Sequence, residues 1–406
     1  MSHSPQHAEP PRRYLTAVYA LAAFTTVLNI TLLSPLLTPI AAAFARSEVG
    51  VGQLATLTAV SAFGTALVIA PLLDRYPRRV WLRIEVGLVA AAAVLSAIAG
   101  SFAVLLLARA LAGIGGAVIL GLCYASAADT FGDPHQRNRV VSRISVAATL
   151  GSILGLPVMT LVGDRAGWRW AVLLMAPLAL LVFAGAGALR EAPTGSQTGG
   201  MRGWARSYRQ VLARRDVAAL LGVGVLVIAI RFGWFIYIGA YAKDAFGAGA
   251  GTLSLVFVAA GIAQIVASLW VPRILRVWAP RRVAAVASVA MAVNLTAVGT
   301  YGDGVWTVFP FVMIGSAAWS ACFLSIGLLL LDAMPAARGI VGALQSAGLE
   351  LGIGVGTAAS GALLGTLNTY ESAFRSLAVV VPAVLLLLRV AAPRPDAAAP
   401  APGPAG

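Results

Sequence analysis

The chain has 406 residues, 59% of them hydrophobic and 11% charged, with a mean hydropathy of +0.88. A soluble domain carries roughly 25% charged residues, so most of this chain cannot face water. Its apolar runs do not alternate in polarity as membrane strands do, which excludes a transmembrane β-barrel and leaves an all-α membrane protein.

From the N-terminus, a polar arm (1–13) precedes a first apolar run at 14–43, too long and too deep in the chain for a cleaved signal peptide. Runs at 53–74, 81–100, 103–128, 140–163 and 168–189 follow, each long enough to cross a hydrocarbon core about 30 Å thick. Residues 190–216, "REAPTGSQTGGMRGWARSYRQVLARRD", form the longest polar interval. Its start reads as a linker and its basic end as a surface helix. Further runs lie at 217–242, 250–273, 282–300, 305–332, 339–365 and 371–391. Twelve transmembrane helices in two six-helix bundles, 14–189 and 217–391, are therefore expected. The Pro/Ala-rich tail, 392–406, cannot pack and is expected to be disordered.

The net charge of +14 invites comparison with nucleic-acid binders, but its placement argues otherwise. With the N-terminus in the cytoplasm, 22 of the 29 Lys and Arg fall on the inner side. Arg46, Arg165, Arg169, Lys243 and Arg375 fall outside, and Arg109 and Arg231 lie within spans. That bias places both termini in the cytoplasm and the basic loops against anionic headgroups. The lipid bilayer, not nucleic acid, is the expected partner. Cys123 and Cys322 read as small buried residues. With His3, His7 and His135 all outside the spans, no metal or cofactor site is expected.

"PLLDRYPRRV" (71–80) concentrates charge between two apolar runs, and its "PRRV" returns at 280–283. Both copies stand between the second and third spans of their half. Parallel repeats of this kind are a transporter signature, with the substrate site near mid-membrane between the halves.

The stretch "APLLDRYPRRVWL" (70–82) resembles the loop motif of the major facilitator superfamily, roughly G-x-L-A-D-R-x-G-R-R-x-x-L. Leu72, Asp74, Arg75, Arg78, Arg79 and Leu82 match, while Ala70 and Pro77 stand where glycine is usual. "RALAGIGGA" (109–117) resembles the fourth-span motif through Arg109, Gly113 and Gly115. "GSILGLPVMTLVGDRAGWRW" (151–170) is similar to the fifth-span antiporter motif of the drug and sugar (arabinose-type) efflux branch, through Gly151, Gly155 and Pro157. There Leu156 separates the second glycine from the proline that usually follows it directly. "FIYIGAYAKDAFG" (235–247) and "ALQSAGLELGIGVG" (343–356) also resemble that branch. The resemblance implies the major facilitator fold. It also implies a gate in which Asp74 caps the start of span eleven, with Arg75, Arg78, Arg79 and Arg143 completing a charge cluster. Val277 occupies the matching place in the second half, so this latch would be one-sided.

Charges deep in a span cost roughly 2.5–3.5 kcal/mol on insertion scales and are functional candidates by default. At 1.5 Å per residue, Arg231 lies roughly 22 Å and Glu350 roughly 18 Å along their spans, while Arg109 enters span four roughly 9 Å from the outside. The resemblance supports a role for Arg109 in proton coupling; a carbonyl-bonded structural arginine is the alternative. Glu350 in an apolar cavity suits a proton carrier, but beside Arg231 it would be one member of a static ion pair. Glu85, near the start of span three, reads as interfacial.

Asn29, Gln264, Asn294 and Gln345 could bond a substrate or tie helices together. Tyr124, Trp234, Tyr237 and Trp319 could line a cavity or simply pack. Two small-residue stripes, Gly348/Gly352/Gly356 and Gly151/Gly155, allow close helix approach and are expected as packing seams at the moving interface.

A membrane enzyme would need a nucleophile–base or metal constellation, and a primary pump would need a P-loop; neither pattern is present. The expected function is secondary transport by alternating access, as a monomer in the plasma membrane. Its cargo would be a small neutral, amphipathic or cationic compound moved outward, with protons as the coupling ion. A proton-coupled importer and a non-transporting sensor are the alternatives.

Overall fold

A computed structural model of the chain describes residues 12–69, 72–73, 76–131, 133–187, 200–300, 304–334 and 338–391. Regular structure among them is helical throughout. The first half runs α1 (Arg12–Thr31), α2 (Leu33–Ala43), α3 (Glu48–Ile69), α4 (Arg78–Ala97), α5 (Phe102–Gly116), α6 (Ile119–Thr130), α7 (Pro134–Ile153), α8 (Gly155–Arg165), α9 (Trp168–Leu173) and α10 (Met175–Ala186). After α11 (Gly200–Ala213) the second half runs α12 (Arg215–Phe235), α13 (Ile238–Phe246), α14 (Ala250–Ile274), α15 (Pro280–Thr296), α16 (Val308–Ala333), α17 (Arg338–Leu367), α18 (Tyr370–Leu377) and α19 (Val381–Val390).

Several crossings are built from two helices, and proline explains three of the breaks. α1 ends at Thr31, α7 at Ile153 and α9 at Leu173. Each is the residue four before a proline (Pro35, Pro157, Pro177), whose ring cannot donate to that carbonyl and clashes with it. The pairs α1/α2, α5/α6, α7/α8, α9/α10, α12/α13 and α18/α19 are thus single, interrupted crossings. Among the described residues, 11 segments are long and apolar enough to span a bilayer; α15, at 17 residues, makes the twelfth crossing.

An even number of crossings puts both ends of the bundle on one face, the terminal face, with the distal face opposite. Bonds near the ends agree: Tyr14 Oη on α1 donates to Gly185 O on α10 at 3.3 Å.

The two halves repeat each other in their arginine contacts. On α9, Arg169 Nη2 donates to Ala99 O after the third crossing at 3.0 Å. On α18, Arg375 Nη2 donates to Val298 O after the ninth at 2.6 Å. At the terminal face, Arg83 Nε donates to Phe183 O at 3.3 Å and Arg281 Nη2 to Ala391 O at 2.5 Å. Arg83 and Arg281 are not at matching places in the PRRV register, yet each ties the third crossing of its half to the sixth. The halves meet along α3 and α17, along α7–α8 and α14, and where α2 touches α13. α11 lies against α12 and α17, with Tyr208 and Val211 buried and Arg206 and Arg209 exposed. The predicted arm, the start of the linker and the Pro/Ala-rich tail lie outside the described residues.

Candidate functional site

The fourth-crossing motif acts as a clip. A Cβ at Gly113 would overlap the Thr58 carbonyl, and one at Gly115 would stand 2.7 Å from Glu85 O, so glycine lets α5 touch α3 and α4 backbone to backbone. Held there, Arg109 is 3% exposed. Its Nε donates to Thr58 Oγ1 at 3.3 Å, and its Nη2 to Asn29 O at 3.3 Å and Asn29 Oδ1 at 3.2 Å. Asn29 Nδ2 in turn donates to Ala112 O at 3.2 Å. One buried guanidinium with neutral acceptors thereby joins α1, α3 and α5. Asn29, for which the sequence left open a substrate contact or a helix tie, is a helix tie in this structure.

Glu350 stands on the seam between halves. Along α17, Ala347 packs with Ala62 and Ala66 of α3. A Cβ on Gly354 would lie 3.5 Å from Ala59 and Val60, and Thr357 Oγ1 is 3.0 Å from Thr56 Oγ1. These positions follow steps of three and four residues, and Glu350 falls on the same stripe, facing α3. It is 6% exposed, and among the described residues it makes no hydrogen bond and no ion pair.

Arg231 is not its partner in this structure. Its guanidinium carbon lies 3.7 Å from the Phe235 ring centre, 4.4 Å from Trp234 and 5.7 Å from Trp319. Such contacts supply roughly 0.5–2 kcal/mol each. Nε and Nη1 remain buried without acceptors, as does Trp319 Nε1. Arginine and indole are donors only, so three buried donors at this corner of α12 and α16 go unmet.

Near the distal face the halves are clasped. Thr38 Oγ1 donates to Glu48 Oε1 at 2.7 Å, and Tyr370 Oη donates to Glu48 Oε2 from the other half. Ser34 Oγ donates to Phe235 O at 2.7 Å and Ser254 Oγ to Pro157 O at 3.5 Å, both across the seam. Tyr237, 1% exposed, fits between Gly52 and Gly361 of opposite halves. None of these clasp partners except Tyr237 and Pro157 stood out in the sequence, because each acquires its role only from a residue far along the chain.

Other expected residues find different surroundings. Trp234 is 1% exposed and packs edge-on against Phe311, inside the second half. Tyr124 Oη pairs with Ser145 Oγ at 3.0 Å, joining α6 to α7. Asn294 Nδ2 donates to Phe311 O at 3.0 Å. Gln264 accepts from Ser268 and Ser320 through its backbone carbonyl. Trp319 is half-buried and stacked on Phe323, and Gln345 lines a narrow cleft with Phe323 and Gly348.

The glycine stripes are seams, but within halves rather than between them. A Cβ on Gly352 would lie 2.7 Å from Val225 O, one on Gly356 would overlap Ala229, and one on Gly348 would lie 3.4 Å from Val225, all on α12. Gly151 and Gly155 seat α7 and α8 on Phe24 and Leu28 of α1. The inter-half seam uses Gly261 instead, where Ile153 would collide with a Cβ. Glu85, expected at the interface with water, is 1% exposed. Of the gate residues, Asp74 and Arg75 lie outside the described residues. Arg78 is half-buried, while Arg79 and Arg143 are exposed. Among the described residues no group of His, Cys, Asp and Glu could hold a metal ion.

A sequence profile of the Major Facilitator Superfamily matches residues 19–344. The chain is 28% identical over 353 residues to a probable sugar efflux transporter of Mannheimia succiniciproducens, covering 86% of this chain and 85% of that one. It is 27% identical over 327 residues to a chloramphenicol resistance protein of Streptomyces lividans, covering 78% and 81%. Its fold matches the crystal structure of a D-xylose–proton symporter with a TM-score of 0.69 at 19% identity, over 91% of this chain and 97% of that one.

Proposed function

The chain belongs to the Major Facilitator Superfamily, and from that membership we propose that this multi-pass membrane transporter couples proton entry to export of a small compound. The observation carrying the reading is Glu350: a buried acid, without a cation, on the stripe where the halves must separate and rejoin. An acid there can be exposed to one side and then the other as the seam opens, which is what a proton carrier requires. The relatives' names, sugar efflux and chloramphenicol resistance, support the outward direction. The arginine bias supports an inner-membrane orientation with both termini cytoplasmic.

Within the expected cargo class, the unmet donors of Arg231 and Trp319 favour a neutral, oxygen-bearing amphipathic compound over a cation. A cation would meet an uncompensated guanidinium, whereas hydroxyl, carbonyl or nitro oxygens would satisfy it. The gate assignment for Asp74, Arg75, Arg78, Arg79 and Arg143 is part of the same proposal, as is function as a monomer.

Everted membrane vesicles energised with an interior-acid gradient provide the test. Sugars, nucleosides and neutral amphipathic drugs should be screened for accumulation. At least one compound should accumulate and leave again when a protonophore collapses the gradient. Accumulation indifferent to the protonophore would remove proton coupling, and accumulation only when the gradient is reversed would indicate symport.

A further inference from the structure

Glu85 is buried on α4 with its two oxygens in unlike positions. Oε1 accepts from the Val118 amide at 3.2 Å, while Oε2 is buried without a partner. Val118 lies in the break between α5 and α6, where the helix ladder lapses and its N–H finds no backbone acceptor. The break is also a seating surface. Ala117 and Val118 pack with Ala62 and Ala66 of α3 and with Ala347 of α17, one turn before Glu350.

No cation compensates the carboxyl among the described side chains. α4 packs against α5, α6, α9 and α10. From α5, Arg109 is turned to Asn29 and Thr58; from α9, Arg169 is bonded to Ala99 O. α10 carries no titratable residue. α6 presents the buried Cys123 thiol and Tyr124, bonded to Ser145; the Asp129 side chain lies outside the described residues. On α4 itself, Arg83 is bonded to Phe183 O, and Arg78 and the exposed Arg79 stand in the first turn, six and seven residues before Glu85.

A carboxyl with one amide donor, one vacant oxygen and no cation is suited to hold a proton. In the neutral acid, Oε1 takes the Val118 N–H and Oε2 keeps its hydrogen. In the anion, an unpaired charge stands in apolar surroundings until water reaches it.

We propose that Glu85 is a proton-binding site of the first half, and that its occupancy controls how the α5–α6 break, through Ala117 and Val118, seats on α3 and α17. With the proton on Oε2 the break stays docked. When that O–H breaks and the proton passes to water at the terminal face, the carboxylate draws solvent in and the break unseats. The assignment goes beyond the transport reading and needs no substrate to test.

The test uses purified full-length protein in lipid nanodiscs and infrared difference spectra between about pH 5 and about pH 9. A component of the protonated-carboxyl band should titrate, vanish in Glu85→Gln and persist in Glu350→Gln, whatever Glu350 itself adds to that band. In a Cys322→Ala background, Cys123 should react with maleimide roughly fivefold faster than in the same protein carrying Glu85→Gln at the alkaline end, and equally at the acid end. Loss of the Glu85 charge would itself make the Cys123 thiol more reactive, so the expected order runs against that bias. If Glu85→Gln fails to insert, Glu85→Asp keeps the acid and should shift the band. A static cap would leave the titrating band unchanged by either substitution, or the Cys123 rates equal at both ends; either result overturns the proposal.

Discussion

Thr56 and Thr357 bring their hydroxyls to 3.0 Å across the seam between the two halves. Thr357 spends its hydrogen on Ile353 O at 2.8 Å, so Thr56 is the donor. Two turns toward the terminal face on the same stripe stands Glu350. The acid proposed to carry the proton and a bond holding the halves together therefore share one helix face. Thr56→Val should remove about 1 kcal/mol from the distally closed state and raise the distally open population roughly fivefold. Spin-label distances between the distal ends of α3 and α17 measure it; an unchanged distribution would mean the bond contributes nothing to closure.

The Glu48 clasp should be the stronger one. Tyr370→Phe deletes a hydrogen bond to a carboxylate, worth about 1.5–3 kcal/mol before screening, while keeping the ring against Tyr241 and Phe374. Cysteines placed near the distal ends of α2 and α18 should label faster in this variant. Combining it with Glu48→Ala should cost less than the two changes summed, because both remove the Tyr370–Glu48 bond and only the second also removes the bond from Thr38.

For coupling, Glu350→Gln keeps shape and hydrogen bonding but cannot titrate. Gradient-driven accumulation should be lost, whereas substrate exchange without a gradient should survive in part, since exchange needs no net proton movement. Accumulation at the wild-type rate would assign Glu350 a structural role and leave coupling to Arg109 or Glu85.

The Arg109 clip predicts a rescue. Asn29→Leu removes a side-chain acceptor from a buried guanidinium and should cost about 2–3 kcal/mol, read as a fall in melting temperature of the purified protein. Asn29→Leu with Arg109→Met should be more stable than Asn29→Leu alone, because no unpaired charge is then left inside. A double variant no better than the single would show that the network is not charge-limited.

Glycine substitutions should separate folding from motion. Gly356→Val drives a side chain into the Ala229 backbone within one half and should lower insertion and stability. At Gly261 the nearest atoms to an added Cβ all belong to the Ile153 side chain across the seam, so Gly261→Val presses first on that side chain. It should insert normally yet label faster from the distal face. Identical behaviour of the two would contradict the placement of the seams.

The twelve crossings were legible in the sequence because a bilayer sets a minimum apolar length, and the runs met it one after another. The repeat was legible from four residues, PRRV, at equivalent places. Arg109 and its glycines were legible as a motif, and the deep charges were legible because charge in a hydrocarbon layer is rare.

What each of these groups touches was decided only by tertiary structure. In water, an apolar stripe on a polar helix tells which face packs. In a bilayer, lipid-facing and protein-facing sides are both apolar, so the pattern that places a helix in the membrane says nothing about its rotation. The glycine stripes thus proved to lie inside the halves, and Arg231 among rings instead of beside Glu350. The α5–α6 break, which has no proline to announce it, was out of reach for the same reason. So was Glu85: its position marked it as a boundary residue, and only the approach of Val118 from another crossing made it a buried acid with one oxygen bound and one left empty.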